Sequence, residues 1–348
     1  AAIGATHDLG HPPFGHGGEV ALNYCMRNAG GFEGNAQTLR ILAKLERFSE
    51  KEGSHLSRRT LLGCLKYPGK FSDLNKSSIK PRTIEDSDFI KIIDRGSCKP
   101  PKCYFDEEED IVEWILEPFE TKDRSEFISS TTSNDKHSKT KHQSFDCSIM
   151  NLADDISYGV HDFEDALSLK LIDDKAIKKQ VNKTDFDDFI SNIKNRYPEK
   201  QLDYCSLIES LLGPDRKRYI GRLVHYFLTN IKIEDENINE PLLKYRVKLN
   251  DKPKKLLDAL KKLVREEVIF SPNLQQLEFN GQRMVVEDFE ILNSDPEKFF
   301  PQEHPELLKN GKIKRVICDY IAGMTDTYLL KTYERLCSPR MGSVFDYL

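Results

Sequence analysis

Apolar residues recur at three- and four-residue spacings through most of this chain, and this repeat constrains its fold more than any other feature. Such spacing places the apolar side chains on one face of an α-helix, whereas a half-buried strand needs them to alternate. Long alternating stretches are scarce in the 348 residues. The sequence therefore predicts an all-α, multi-helix fold, with helices over residues 19–29, 35–50, 58–66, 109–117, 145–172, 203–212, 217–233, 253–268, 283–293 and 312–336.

Polar stretches lie between the predicted helices. Residues 68–104 and 121–143 are rich in Pro, Ser, Lys and Asp, a composition that favours loops or excursions from the core. Residues 170–202 carry charge on most faces and few large apolar side chains, so we expect them to cover the core from outside.

The charge balance excludes a general attraction for polyanions. Lys and Arg total 52 against 57 for Asp and Glu, a net charge of -5, so an anionic ligand must be held by a local cluster of basic groups. The sequence has no run of about 18 apolar residues and no basic-then-apolar leader, which predicts a cytoplasmic enzyme without a membrane partner. The chain begins Ala1-Ala2-Ile3 without Met, as if inside a helix, and we expect an N-terminal segment to be missing.

The eight cysteines are scattered through a chain too large to need disulfide bonds, so we expect reduced thiols. Cys98 and Cys103 lie close together across Lys-Pro-Pro-Lys, but no second pair with zinc-ligand spacing follows within reach. A surface loop with two ordinary thiols is the favoured interpretation.

A cluster of histidines and carboxylates opens the chain. Residues 7–19, HDLGHPPFGHGGE, hold three of the nine histidines and two carboxylates. His7 and Asp8 can reach one divalent cation, because the glycines and prolines that follow break the helix and expose them. His16 suits proton transfer near neutral pH, and Glu19, three residues on, can lie on the same helical face and orient it. For His11, a catalytic role and simple packing on Phe14 have equal support.

A second cluster lies in residues 151–162, NLADDISYGVHD. On an α-helix, Asp154, Tyr158 and Asp162 are spaced four apart and line one face, while Leu152, Ile156 and Val160 can pack inward. Two carboxylates on one face repel each other unless a cation or a hydrogen-bond donor lies between them. An acidic solvated face and a functional face are equally supported by this pattern alone.

A third cluster is basic. Arg216, Lys217, Arg218 and Arg222 lie close together on a predicted helix and could form a small basic patch. One solvated helix face is the favoured interpretation.

Together these motifs resemble the HD superfamily and, more closely, the dGTP triphosphohydrolases and their bacterial homologues. Five stretches carry the resemblance: residues 7–19 (HDLGHPPFGHGGE), 31–40 (GFEGNAQTLR), 144–150 (SFDCSIM) running into the Asp154 helix, 275–279 (QQLEF) and 319–326 (DYIAGMTD). The resemblance implies an HD catalytic core over residues 1–172, with a loop excursion at 68–143. It also implies a helical C-terminal region over 173–348 that completes the substrate cleft and makes oligomer contacts.

The resemblance implies one catalytic divalent cation held by two histidines and two aspartates. His7, Asp8 and Asp154 match three of these ligands, and the fourth, a histidine on an earlier helix, has no counterpart in this chain. The cation is Mg, Mn or Fe, because an imidazole and carboxylate site suits all three.

The remaining site residues are implied in the same way. The catalytic histidine and its carboxylate partner are His16 and Glu19, with His11 beside them, and Gly34 replaces a histidine that acts near the leaving group in some relatives. Tyr158 and Asp162 match positions that contact the sugar and disfavour a 2′-hydroxyl. Lys66 and Tyr67 are predicted to contact phosphate, although a capped helix end explains them equally well.

The predicted reaction is hydrolysis of a deoxynucleoside triphosphate, dGTP first, at the α-phosphorus to deoxynucleoside and inorganic triphosphate. Two alternatives are another HD nucleotide hydrolase, such as a 5′-nucleotidase or a cyclic-nucleotide or alarmone hydrolase, and a non-catalytic regulator that binds nucleotides or single-stranded DNA. The resemblance further implies a homo-oligomer, such as a hexamer, and an effector that is a dNTP or single-stranded DNA.

Overall fold

The computed structural model describes residues 1–49, 53–84, 91–197, 201–300 and 312–337. The chain divides into two compact units. Unit 1 comprises Ala1–Cys147, Asn237–Leu243 and Leu277–Leu348, and unit 2 comprises Ser148–Glu236 and Lys244–Gln276. None of the four boundaries between these segments falls at residue 172, and the predicted division into a catalytic core and a C-terminal region stays a prediction.

The described part of unit 1 is built from helices with one short strand pair. The helices are Ala2–Thr6, His16–Cys25, Gly34–Arg40, Arg58–Cys64, Phe71–Leu74, Arg95–Cys98, Glu109–Leu116, Thr121–Phe127, Pro296–Phe299, Ile313–Ala322 and Asp326–Cys337, with a π-helical turn at Ile41–Leu45 and a 3-10 turn at Asp106–Glu108. Most of the helices Pro241–Lys244 and Pro272–Ser294 also belongs to this unit, the first up to Leu243 and the second from Leu277. Strands Ser130–Thr131 and Lys139–Thr140 pair antiparallel.

Two apolar clusters hold unit 1 together. One packs the helix His16–Cys25, which is buried after its first residue, against residues of the helices Pro272–Ser294 and Ile313–Ala322. The other gathers side chains of Arg58–Cys64 and Glu109–Leu116. Burial of each Leu or Phe side chain contributes about 2 kcal/mol to the free energy of unfolding. These clusters therefore fix the helices, and with them the loops that leave the helices.

Unit 2 has a core of its own around the helix Phe145–Ser168, which we call the acidic helix. Its other helices are Asp174–Gln180, Lys183–Arg196, Tyr204–Leu212, Arg216–Thr229 and Asp251–Val264, followed by a π-helical turn at Arg265–Ile269. Strand Ile231–Asp235 pairs antiparallel with Tyr245–Leu249, in a register that places Ile233 opposite Val247. The predicted all-α fold is confirmed, since both sheets of the described residues have two short strands.

Three sequence predictions are wrong in detail. Residues 170–202 do not merely cover the core, because Phe186, Phe189 and Ile193 are buried in it. The helix predicted over 217–233 ends at Thr229, and the five-residue alternation that follows forms a strand, too short to stand out from a helical pattern. Cys98 and Cys103 are buried rather than on the surface.

Among the described residues, no helix has both the length and the apolar character needed to cross a bilayer.

Candidate active site

The loop that carries His7, Asp8 and His11 is fixed on the helix Gly34–Arg40. The Gly10 N–H donates to Thr38 Oγ1 at 3.0 Å, and the same hydroxyl lies 3.2 Å from the His7 carbonyl oxygen. A Cβ at position 10 would lie 2.2 Å from the Gly34 carbonyl oxygen, so only glycine allows this close approach. The loop therefore holds His7 and Asp8 through backbone contacts.

The loop then turns into the helix His16–Cys25. Phe14 adopts a positive φ of 62°, and its N–H donates to Asp326 Oδ1 at 2.9 Å. Gly18 lies against this turn, since a Cβ there would come within 2.0 Å of the Pro13 carbonyl oxygen. His16 consequently stands at the first residue of the helix, with its side chain 72% exposed.

His7 is oriented as a metal-ligating histidine usually is. Its Nδ1 lies 2.8 Å from the Gly4 carbonyl oxygen, which can only accept, so Nδ1 carries the proton and Nε2 carries the lone pair. Nε2 lies 3.1 Å from Asp8 Oδ2. When the ring is neutral, the Nε2 lone pair and the Asp8 oxygen can both ligate one cation, so this donor set fits a divalent cation.

Asp8 also contacts His11. Asp8 Oδ1 lies 3.1 Å from His11 Nδ1. This contact lowers the pKa of Asp8 and raises the pKa of His11. Partial burial acts in the opposite direction on each group, because it disfavours the charged form. The centroid of the His11 ring lies 6.0 Å from that of His16, so His11 stands between the His7–Asp8 pair and the helix that carries His16.

His16 and Glu19 form the predicted pair on one helical face. His16 Nδ1 lies 3.3 Å from Glu19 Oε2. Glu19 is buried, and burial opposes its ionisation, but the His16 contact, the charge of Lys102 and the Gly34 N–H together hold the pKa of Glu19 well below its ordinary value. Glu19 is therefore a carboxylate at neutral pH.

Lys102 belongs to this site, although the sequence analysis placed it in a loop of no stated role. Its Nζ donates to Glu19 Oε1 at 3.1 Å and to Glu33 Oε1 at 2.8 Å, and Glu33 is fully buried. Burial opposes its charge, but the two carboxylates raise the pKa of Lys102 above its ordinary value. Lys102 lies 83 residues from Glu19 along the chain, so no local pattern marks it.

Lys66 and Tyr67 follow the helix Arg58–Cys64. Lys66 contributes to the lowered pKa of Asp8, which places its charge near that carboxylate. Burial, followed by the charge of Glu33, raises the pKa of Tyr67, so its phenol stays a hydrogen-bond donor at neutral pH. Both side chains thus belong to the surroundings of the histidine cluster in unit 1.

In unit 2, Asp154, Tyr158 and Asp162 lie on the acidic helix at the predicted four-residue spacing. The opposite face packs inward, as predicted, since Ile156 and Val160 are buried and Leu152 is partly buried against the same core. Tyr158 is 41% exposed, and Lys261 Nζ lies 5.7 Å from the centroid of its ring. Burial, followed by the charge of Asp165, raises the pKa of Asp162.

Comparison with known proteins identifies the class. The model of the phosphohydrolase-associated domain family matches residues 247–335. A helical fold with this domain and with a His–Asp pair in its N-terminal loop defines a phosphohydrolase of the HD type.

The relatives narrow the class to a family. The deoxyguanosinetriphosphate triphosphohydrolase-like protein of Shewanella woodyi is 41% identical over 98% of this chain and 77% of its own length. Its counterpart in Deinococcus radiodurans is 42% identical over 99% of this chain and 77% of its own length. The one in Pasteurella multocida is 41% identical over 95% of this chain and 74% of its own length. The chain belongs to the family of deoxyguanosinetriphosphate triphosphohydrolase-like proteins.

Proposed function

We propose that this protein hydrolyses deoxynucleoside triphosphates to deoxynucleoside and inorganic triphosphate with the help of a divalent cation. Among these triphosphates, dGTP is the first candidate substrate. The names of the relatives support the substrate class. One observation carries the proposal: an exposed imidazole, His16, rests on a buried and ionised carboxylate, Glu19, close to a His–Asp pair suited to a cation.

The cation would be held by His7 Nε2 and an oxygen of Asp8, and we propose Asp154 as a third ligand because it matches the family pattern. Mg, Mn and Fe all suit such ligands. When bound, the cation supplies charge that stabilises the phosphoryl oxygens and acidifies a water molecule.

The His16–Glu19 pair has the geometry of an acid–base group. Because ionised Glu19 only accepts hydrogen bonds, the proton of His16 lies on Nδ1, and Nε2 is left with its lone pair. Nε2 takes a proton as the oxygen of water bonds to the α-phosphorus, and the 5′-oxygen gains a proton as its bond to phosphorus breaks. Lys102 acts as a positioning residue, since it keeps Glu19 ionised. His11 is proposed as an auxiliary group between Asp8 and His16.

Substrate contacts complete the proposal. Tyr158 and Asp162 would face the sugar, and Lys66 and Tyr67 the phosphates, as the resemblance implies. Tyr67 has the chemistry for this role because its phenol stays protonated. The homo-oligomer, the dNTP or single-stranded DNA effector and the cytoplasmic location stay predictions.

The test is product analysis of the full-length protein with Mn²⁺ or Mg²⁺ and each dNTP in ¹⁸O-labelled water. We expect inorganic triphosphate that carries the label and a deoxynucleoside that does not. Chelation of the metal should abolish turnover. Monophosphate or pyrophosphate as the first product would overturn the proposed reaction.

A pair of variants tests the roles of the residues. His16→Gln should lower kcat by about 10²- to 10⁴-fold, the usual contribution of an acid–base group. His161→Gln is the matched control, because His161 is also exposed and also faces a glutamate three residues on, at 3.9 Å, but it is not among the proposed site residues. Equal activities of the two variants would contradict the assignment of His16.

A further inference from the structure

Unit 2 contains a concave basic pocket that the proposed reaction does not use. It lies on the facing helices Lys183–Arg196 and Arg216–Thr229 and has a volume of about 440 Å³. Three arginines and a histidine line it, and no described residue of its lining is acidic. We call it the arginine pocket and define it by Arg196, Arg218, Arg222, His225 and Tyr197.

The two helices meet in this pocket through two basic side chains. Arg196 Nη1 contacts His225 Nε2. A guanidinium usually has an acceptor with negative charge as its partner. The pairing of arginine with histidine therefore leaves the positive charge of Arg196 uncompensated within the pocket lining.

Arg222 adds a donor without an acceptor. Its guanidinium lies between two aromatic rings, 4.6 Å from the centroid of Tyr197 and 4.9 Å from that of Tyr219. Its Nη1 is buried and has no hydrogen-bond partner among the described residues. Buried donors are nearly always paired in folded proteins, so an unpaired guanidinium N–H in a pocket indicates a ligand acceptor.

The pocket also has free space beside Arg222. Gly221 lines it, and a Cβ added at this position would meet no atom within 4 Å. Glycine in the middle of a helix lowers stability relative to alanine, and neither packing nor a positive φ requires it here. The missing side chain leaves free space in the pocket that a bound group can occupy.

From these contacts we infer that the arginine pocket binds an oxyanion of the phosphate class, either inorganic phosphate or the phosphate group of a small ester. Planar guanidinium groups match the oxygens of phosphate and bond them in pairs. Arg218 also lines the pocket and forms an ion pair with Asp215, and both of these side chains are about half exposed. None of these residues belongs to the set proposed for catalysis.

The experiment is equilibrium binding of ³²P-labelled inorganic phosphate to the full-length protein in the presence of a chelator. Arg222→Gln should weaken binding at least tenfold. Gly221→Leu should abolish binding, because the leucine side chain fills the pocket. Since leucine favours the helix more than glycine does, the circular dichroism spectrum of this variant should stay unchanged. Lys217→Gln is the matched control: it removes the same charge from the same helix outside the pocket and should bind phosphate as the unaltered protein does.

A further arm separates this pocket from the proposed active site. His7→Ala should leave phosphate binding intact, and loss of binding in that variant would place the anion at the metal ligands and overturn the inference. Equal binding by the unaltered protein, Arg222→Gln and Gly221→Leu would also overturn it. If a single-stranded oligodeoxynucleotide bound in an Arg222-dependent way and inorganic phosphate did not, the pocket would belong to nucleic acid instead.

Discussion

Replacing Asp288 with asparagine should remove a large part of the pH dependence of stability in unit 1. Asp288 lies on the helix Pro272–Ser294, is fully buried among apolar side chains such as Val285 and Phe289, and neither of its carboxylate oxygens has a hydrogen-bond partner among the described residues. Burial, and to a lesser degree the charge of Glu287, raises the pKa of Asp288 to about 7. At neutral pH the folded protein must therefore bury either a proton or an unpaired charge.

The sign and size of the effect follow from the two protonation states. The ordinary pKa of this carboxyl is 3.8, so between pH 4 and 7 the folded state keeps a proton that the unfolded state has lost. The free energy of unfolding consequently falls as pH rises through this window, by about 1.4 kcal/mol for each pH unit, and levels off above about pH 7. From pH 5 to pH 8 the contribution of Asp288 amounts to about 3 kcal/mol.

The assay is urea unfolding at pH 5, 6, 7 and 8, followed by the fluorescence of the single tryptophan, Trp114, which lies in unit 1. Asp288→Asn cannot ionise, so it should gain about 3 kcal/mol relative to the unaltered protein between pH 5 and pH 8. Glu290→Gln removes a carboxyl that is 45% exposed from the same helix and serves as the control. Parallel pH profiles for the unaltered protein and Asp288→Asn would refute the reasoning.

Two further predictions concern the candidate active site. Lys102→Met leaves Glu19 and Glu33 without the positive charge between them, so we expect the free energy of unfolding to fall by about 2 kcal/mol. Because the pKa of Glu19 then rises, the acidic limb of the kcat–pH profile should shift to higher pH. Lys102→Arg should restore the profile, and an unshifted limb in Lys102→Met would contradict the role of Lys102. Gly10→Ala forces a Cβ against backbone atoms, which should displace His7 and Asp8 and weaken Mn²⁺ binding at least tenfold in a titration, whereas Gly4→Ala, with open space at its Cβ, should bind normally.

Local sequence determined much of this protein. The spacing of apolar residues predicts helices because the α-helix repeats within a few residues. The same short range explains the site motifs: His16 and Glu19 share a helical face, and Asp154, Tyr158 and Asp162 share another. His7 and Asp8 are neighbours in sequence, and their chemistry indicates a cation site before any fold is known.

Only the tertiary structure decided which distant groups join these motifs. Lys102 reaches Glu19 across 83 residues, and Arg196 reaches His225 across 29. The burial of Cys98 and of Phe186 likewise depends on the helices that close over them. Packing of whole elements decides such contacts, and the free energy of that packing is spread over many side chains, so no single stretch of sequence contains it.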